Sequence, residues 1–216
     1  MLRDPFPNDL LGFRRGVSDQ EVVGKWKDNA YVRGIPLATI KKFGNGEVGL
    51  IDFYDGNKGM VDDFKDILDE EINGLVICGP AGIGKTTLSC LVAMGMWVKS
   101  RVSYFRAGMS AICSALYDDN TSEELVEKLA TSVLLIIDPI DAIWYGDLRS
   151  LGILGGILDE RASSSNLQTI GLVDSVSLDN VGEHGIYILN KISASRPYRF
   201  CEIDAGAAID FGDWGE

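Results

Sequence analysis

The stretch GPAGIGKT, Gly79 to Thr86, sets glycines at 79, 82 and 84 ahead of a lysine and a threonine, the spacing G-x-x-x-x-G-K-[ST]. Glycine lets the backbone wrap an anion with its N–H groups turned inward, and a helix that opens immediately afterwards adds the positive end of its dipole. In that arrangement Gly79, Pro80, Ala81, Gly82, Ile83, Gly84, Lys85, Thr86 and Thr87 form a cradle for a nucleoside triphosphate, with ATP and Mg²⁺ as the expected cofactors. Lys85 would reach the β and γ phosphates, and the Thr86 hydroxyl would face the metal. The alternative, a chance glycine-rich turn, is disfavoured by the context: the apolar run INGLVICG precedes the loop and the helical run TTLSCLVAMGMWVKS follows it.

A second constellation is LLIIDPID, Leu134 to Asp141. Four apolar residues ending in a carboxylate read as a buried strand that delivers Asp138 to its C-terminal end, where ligands of open α/β sheets gather. Asp138 is the expected second metal contact. Pro139 stands where many such proteins carry a second acid that orients water, and positioned bases are worth roughly 10² to 10⁴ in rate. Asp141 could supply that carboxylate if the loop turns helically, or it could cap the next segment.

The elements that must hold these residues alternate along the chain as strand and helix. After INGLVICG and its helix come strand RVSYF, helix AGMSAICSALYDD, helix TSEELVEKLA with acids in its first turn, and strand SVLLIIDP. Helix GDLRSLGILGGILDERAS follows, weakened by three internal glycines, then strand LQTIGLVDS, a helix around IYILNKISAS and strand YRFCEID. This is an α/β pattern with a central parallel sheet flanked by helices. Upstream, MVDDFKDILDEE has helical spacing, and GNGEVGLIDFYDGNKG breaks the chain as a linker does. The expected organisation is an arm at 1–45, a core at 46–205 and an acidic tail at 206–216.

Composition sets limits on this reading. The 216 residues are 46% hydrophobic and 24% charged, the balance of a globular chain with a real core. No apolar run approaches the roughly 20 residues that cross a bilayer, so a cytoplasmic protein without membrane contact is expected. Cysteines 78, 90, 113 and 201 are far apart and His184 is the only histidine, which suggests buried free thiols rather than zinc or disulfides. His184, in the turn-like NVGEHG, reads as an ordinary surface residue. Net charge is −12, divided between +3 over 1–42 (eight basic, five acidic) and −15 over the remainder. Such an acidic body repels phosphate backbones and excludes extended non-specific DNA binding.

With these residues in hand, the chain resembles the DnaC-type and IstB-type branch of the AAA+ ATPases, the bacterial and phage helicase loaders and transposition helpers. The resemblance spans Tyr31 to Ala205 and is carried by YVRGIPLATIKKF, GPAGIGKTT, LLIIDPID, LDERASSSNLQTIGLVDSVSLDNV and ISASRPY. It implies a P-loop NTPase fold of AAA+ type in which Lys85, Asp138, Asp141, Ser175 and Arg196 act in catalysis. Ser175 aligns with the family's sensor asparagine. Arg196, in Ser-Arg, aligns with the arginine that enters a neighbouring subunit's site. Arg161 of LDER is expected in structural or intersubunit ion pairs, and Asp174, where the family has serine, would repel a phosphate unless it faced Mg²⁺. The family's closing arginine is not reproduced.

The resemblance implies a bacterial or phage replication protein that forms an ATP-dependent homo-oligomer and grips a replicative helicase or another replication protein. Residues Phe13, Arg14, Arg15, Lys25, Trp26, Lys27, Tyr31 and Arg33 of the arm could contact single-stranded DNA or dock on a protein. Two further readings stay open: a non-hydrolysing ATP-binding scaffold of a replication or transposition complex, and a small-molecule kinase, which the lack of an arginine-rich lid between Asp174 and Ser195 disfavours. Lys85→Ala should abolish nucleotide binding in a calorimetric titration. Pro139→Glu should accelerate basal ATP hydrolysis if the missing carboxylate limits turnover; an unchanged rate would place the limit elsewhere.

Overall fold

The structure, a computed structural model, describes residues 62–63, 66–67, 69, 71–100, 103–117, 122–140, 148–174 and 181–202. Three apolar runs form its centre. β1 (Gly74–Gly79) and β3 (Leu134–Ile137) are buried throughout, and β4 (Gln168–Asp174) is buried except at its terminal aspartate. Such runs have no polar face to offer water, so they belong inside a sheet covered on both sides. The edges are β2 (Tyr104–Ala107) and β5 (Tyr198–Glu202), both partly exposed. All pairings are parallel, in the order β2-β3-β4-β1-β5. The expected α/β architecture is therefore present.

Helices occupy the crossovers. They are α1 (Lys85–Ser100), α2 (Met109–Tyr117), α3 (Ser122–Thr131), α4 (Leu148–Ala162) and α5 (Gly182–Ser193). One face of the sheet, presenting Val76, Cys78, Leu135, Ile137 and Val173, packs on Ile112, Leu129, Leu154, Leu158 and Ile188 of α2 to α5. Residues of opposite parity, Leu75, Ile77, Leu134 and Ile136, are fully buried as well. The second face is thus also covered, as side-chain alternation along a strand requires.

Several expectations need correction. The second strand runs through Arg106 and Ala107 instead of ending at Phe105. His184 lies in the first turn of α5 rather than in a turn, because that helix opens earlier than the apolar run IYIL suggests. Arg161 makes no ion pair among the described residues: it is buried among neutral acceptors, donating to the carbonyls of Leu129 (2.9 Å), Ser132 (2.7 Å) and Gln168 (2.6 Å) and to the Thr169 hydroxyl (3.1 Å). Burial lowers its pKa to about 10, so it remains charged at neutral pH. It closes the C-terminal end of α3, where the last carbonyls lack helical partners. Cys78, Cys90 and Cys113 are buried free thiols, while Cys201 is only partly covered.

Gln168 ties the segment before β1 to the sheet, its Nε2 donating to the carbonyls of Ile67 (2.6 Å) and Ile72 (2.9 Å). The arm, the linker at 45–60 and the tail lie outside the described residues.

The α4 glycines are not equivalent. A Cβ at Gly155 would lie 2.8 Å from Tyr187 Cζ on α5, whereas Gly152 and Gly156 face open space. Gly155 therefore sets how closely α4 and α5 approach, while its neighbours only lower helix propensity. Gly156→Ala should raise stability by about 0.5–1 kcal/mol, and Gly155→Ala should lower it by about 1–3 kcal/mol. Chemical denaturation of both variants checks the opposite signs.

Candidate functional site

Four strand-ends converge at one edge of the sheet. Register aligns Gly79, the last residue of β1, with Asp174, the last of β4. It also aligns Ala107 of β2 with Ile137 of β3, and Asp138 follows, its N–H donating 3.0 Å to the Ala107 carbonyl. The glycine loop leaves this edge and enters α1 at Lys85. Gly82 and Gly84 take φ of +86° and +92°, conformations in which any Cβ would be strained. Pro80, Ala81 and Ile83 complete the loop, with Ile83 buried as its anchor. Thr86 and Thr87 stand in the first turn of α1.

Lys85 is 3% exposed, and its ammonium is fully engaged by the protein. Nζ donates to the carbonyls of Gly79 (2.8 Å) and Pro80 (2.7 Å) and lies 2.6 Å from Asp174 Oδ1. An ammonium has three N–H bonds, and three acceptors are present. Asp174 therefore pairs with the loop's own lysine. Its side chain is 50% exposed, which makes it the easiest of the three acceptors to displace.

Asp138 has a comparable arrangement. Its Oδ2 accepts from Thr86 Oγ1 (2.8 Å), Arg106 Nε (2.9 Å) and Arg106 Nη2 (2.7 Å), and its side chain is only 4% exposed. Beneath this cluster, burial pushes the Cys90 thiol up to about 12, so it packs as a neutral group. Removing one partner from a buried charge pair costs about 3–5 kcal/mol, which sets the scale for holding Asp138 without its arginine. The donor set of Thr86 and Asp138 suits Mg²⁺ in kind but falls short of the six oxygens the ion takes. Nucleotide phosphates and water would supply the remainder, and Asp138 Oδ2 would first have to part from Arg106. The described residues contain no group of three or more His, Cys, Asp or Glu able to hold a metal.

Other expected site residues stand elsewhere. Arg196 is exposed beyond α5, at the opposite end of the sheet, where its carbonyl accepts from Asn73 Nδ2 (2.7 Å) and its guanidinium lies 5.9 Å from the Tyr198 ring. β1 separates it from the glycine loop by roughly 17 Å at 3.3 Å per residue, beyond the reach of an arginine side chain. Asp141 and Ser175 lie outside the described residues. Sequence reasoning missed Arg106. The available signal was a lone basic residue after an apolar run, in YFRA, hidden because the expected strand stops at Phe105, two residues short of its end.

Sheet order, strand-loop-helix and the acid following β3 define a P-loop NTPase fold of AAA+ type. Within that class the fold is of the DnaC type. It is similar to a crystal structure of DnaI (TM-score 0.53, 20% identity, 68% of this chain and 81% of that one) and to one of the DnaC helicase loader (0.55, 15%, 68% and 90%). It is also similar to AMPPCP-bound DnaA from Aquifex aeolicus (0.58, 18%, 73% of this chain and 49% of that one). No family model and no curated protein matches the chain. No helix among the described residues is long and apolar enough to cross a membrane.

A phosphate reaching Lys85 would have to displace Asp174, so Asp174→Asn should tighten nucleotide binding. Asparagine keeps an oxygen acceptor but removes the charge. A half-exposed ion pair is worth about 1 kcal/mol or less, so the expected gain is up to about fivefold in Kd by isothermal titration calorimetry. Weaker binding would show that Asp174 supports the loop instead of competing with its ligand.

Proposed function

We propose that this chain is an ATP-binding AAA+ protein of the helicase-loader kind, hydrolysing ATP slowly or only with a partner, and that it acts on a replicative helicase in bacterial or phage DNA replication. The observation that carries the reading is the seating of Lys85 within the glycine loop, with the Thr86 hydroxyl 2.8 Å from Asp138 Oδ2. Support for the replication setting comes from the fold's likeness to a DnaC helicase loader, to DnaI and to a primosome component from Streptococcus pyogenes serotype M3. The likeness to AMPPCP-bound DnaA supports an adenine nucleotide as ligand.

In this reading ATP displaces Asp174 from Lys85, and the backbone N–H groups from Ala81 to Thr86 receive the phosphates. Thr86 and Asp138 would hold Mg²⁺, which when bound neutralises charge on the phosphates. Asp141 and Ser175 would orient water or the terminal phosphate. Pro139 offers no carboxylate beside Asp138, which accords with slow turnover. Arg196 cannot serve its own nucleotide, so its role would lie in the site of an adjacent subunit in a homo-oligomer. Binding, assembly and partner contact would then form one switch, with ATP favouring the assembled state. The arm at 1–45 would contact the partner, with single-stranded DNA as a second ligand.

The alternative is a scaffold that binds ATP without hydrolysing it. The pairing of both Lys85 and Asp138 with protein groups favours it, since each pairing opposes formation of a reactive site. Phosphate release measured with and without a replicative helicase and single-stranded DNA decides between them, because tight binding without turnover under every condition would select the scaffold. Arg196→Ala should leave the Kd for ATP within twofold of wild type and reduce stimulated hydrolysis about 10³-fold or more. A loss confined to binding would place Arg196 in a different role.

A further inference from the structure

Residues 194–197 join α5 to β5 and carry the exposed Arg196 on a backbone that the sheet holds in place. Asn73, which precedes β1 and is 8% exposed, supplies most of that hold. Its N–H donates to the Pro197 carbonyl (2.7 Å), its side-chain Nδ2 donates to the Arg196 carbonyl (2.7 Å), and its own carbonyl accepts from the Thr169 N–H (2.8 Å). The Gly74 N–H adds a second bond to the Pro197 carbonyl (3.2 Å). Gly74 also has no room for a side chain, since a Cβ there would lie 2.8 Å from the Ile192 carbonyl oxygen and 3.0 Å from that of Ser195. Ser195 is buried, its N–H donating to the Ile192 carbonyl (3.0 Å). Surface connections are ordinarily the mobile part of a fold. Here the carbonyls of Arg196 and Pro197 are both tied to the entry of a buried strand, while the Arg196 side chain stays exposed beside the Tyr198 ring.

We propose that Asn73 is a positioning residue for Arg196, its carboxamide fixing the direction in which the guanidinium leaves the fold toward a second copy of this chain, a role that rests on the reading of Arg196 as acting in an adjacent subunit's site. An arginine that stabilises phosphoryl transfer is effective only where its N–H groups meet the developing charge, and a 1 Å misplacement in such an arrangement can cost about 10²-fold in rate. A loose connection would spread the guanidinium over many directions. The Asn73 amide opposes this by anchoring the peptide that follows Arg196, while the Asn73 and Gly74 N–H groups anchor the next one. Removing the amide frees the first anchor and leaves the other two backbone bonds in place. At 3.3 Å per residue β1 sets Asn73 roughly 20 Å from Gly79, too far to touch a nucleotide held in its own chain's loop. The effect of Asn73 is therefore felt in the neighbour's site and not in its own.

The test is phosphate release by mixtures of two inactive full chains, in the presence of single-stranded DNA and an ATPase-inactive variant of a bacterial replicative helicase. Lys85→Ala binds no ATP but offers Arg196, and Arg196→Ala binds ATP but offers no arginine. Their mixture should turn over about 10²-fold faster than either chain alone. Adding Asn73→Ala to the Lys85→Ala chain should cut that recovery about tenfold or more, whereas adding it to the Arg196→Ala chain should leave the recovery within about twofold, because that chain's arginine is already gone. Asn73→Ser keeps a shorter donor and should give the same asymmetry at smaller amplitude, which serves if the alanine variant fails to fold. A merely structural asparagine would lower the recovery at least as much from the ATP-binding chain. That result, or no loss from either chain, overturns the proposal while the role of Arg196 in the neighbour's site stands. A mixture that stays inactive although wild type turns over, or a wild type without turnover, overturns that role and the proposal together.

Discussion

The parallel ladder fixes the depth at which each strand presents its last side chain. Gly79 is held level with Asp174, and Ala107 with Ile137, by backbone hydrogen bonds that cannot slip by one residue without turning every buried side chain to the wrong face. Because β1, β3 and β4 as far as Val173 are buried on both faces, register is set by packing from two sides. The lysine, the two aspartates and the arginine are therefore brought within hydrogen-bond distance by the core, not by the loops that contain some of them.

What gathers at that edge includes two ion pairs. Lys85 and Asp174 form one pair and Arg106 and Asp138 another, so two cations suited to phosphate are neutralised by two acids of the same chain. The pairs differ in burial, and this difference orders their response. The first has a half-exposed member and water can replace it at small cost, whereas the second is enclosed and its separation is expensive. The chemistry of the site is thus governed less by which residues are present than by which existing contacts a ligand must break.

Much of this was legible in the residues. The strand-loop-helix around GPAGIGKT follows from glycine spacing between an apolar run and a helical one, and the position of Asp138 follows from LLII running into a carboxylate. Partnerships were not legible. Asp174 reads as repulsive in isolation because the lysine it meets opens the helix after a strand that only sheet order makes adjacent. Arg106 was invisible for a related reason: ending β2 at Phe105 moved it into a loop, and strand boundaries are where local pattern is weakest. The family resemblance of LDER implied ion pairs for Arg161, yet here carbonyls freed at the end of α3 fill that place. Gly155 reads as a helix weakness until Tyr187 is seen against it.

Gln168 and Asp174 are the two ends of β4. At one end an amide clasps the carbonyls of Ile67 and Ile72, and at the other a carboxylate touches Lys85. The strand between them is fully enclosed and hydrogen-bonded on both sides, so it behaves as a stiff rod about 20 Å long. The polypeptide upstream of the sheet is thus tied at Gln168 to one end of this rod, and the acid that meets Lys85 is its far tip.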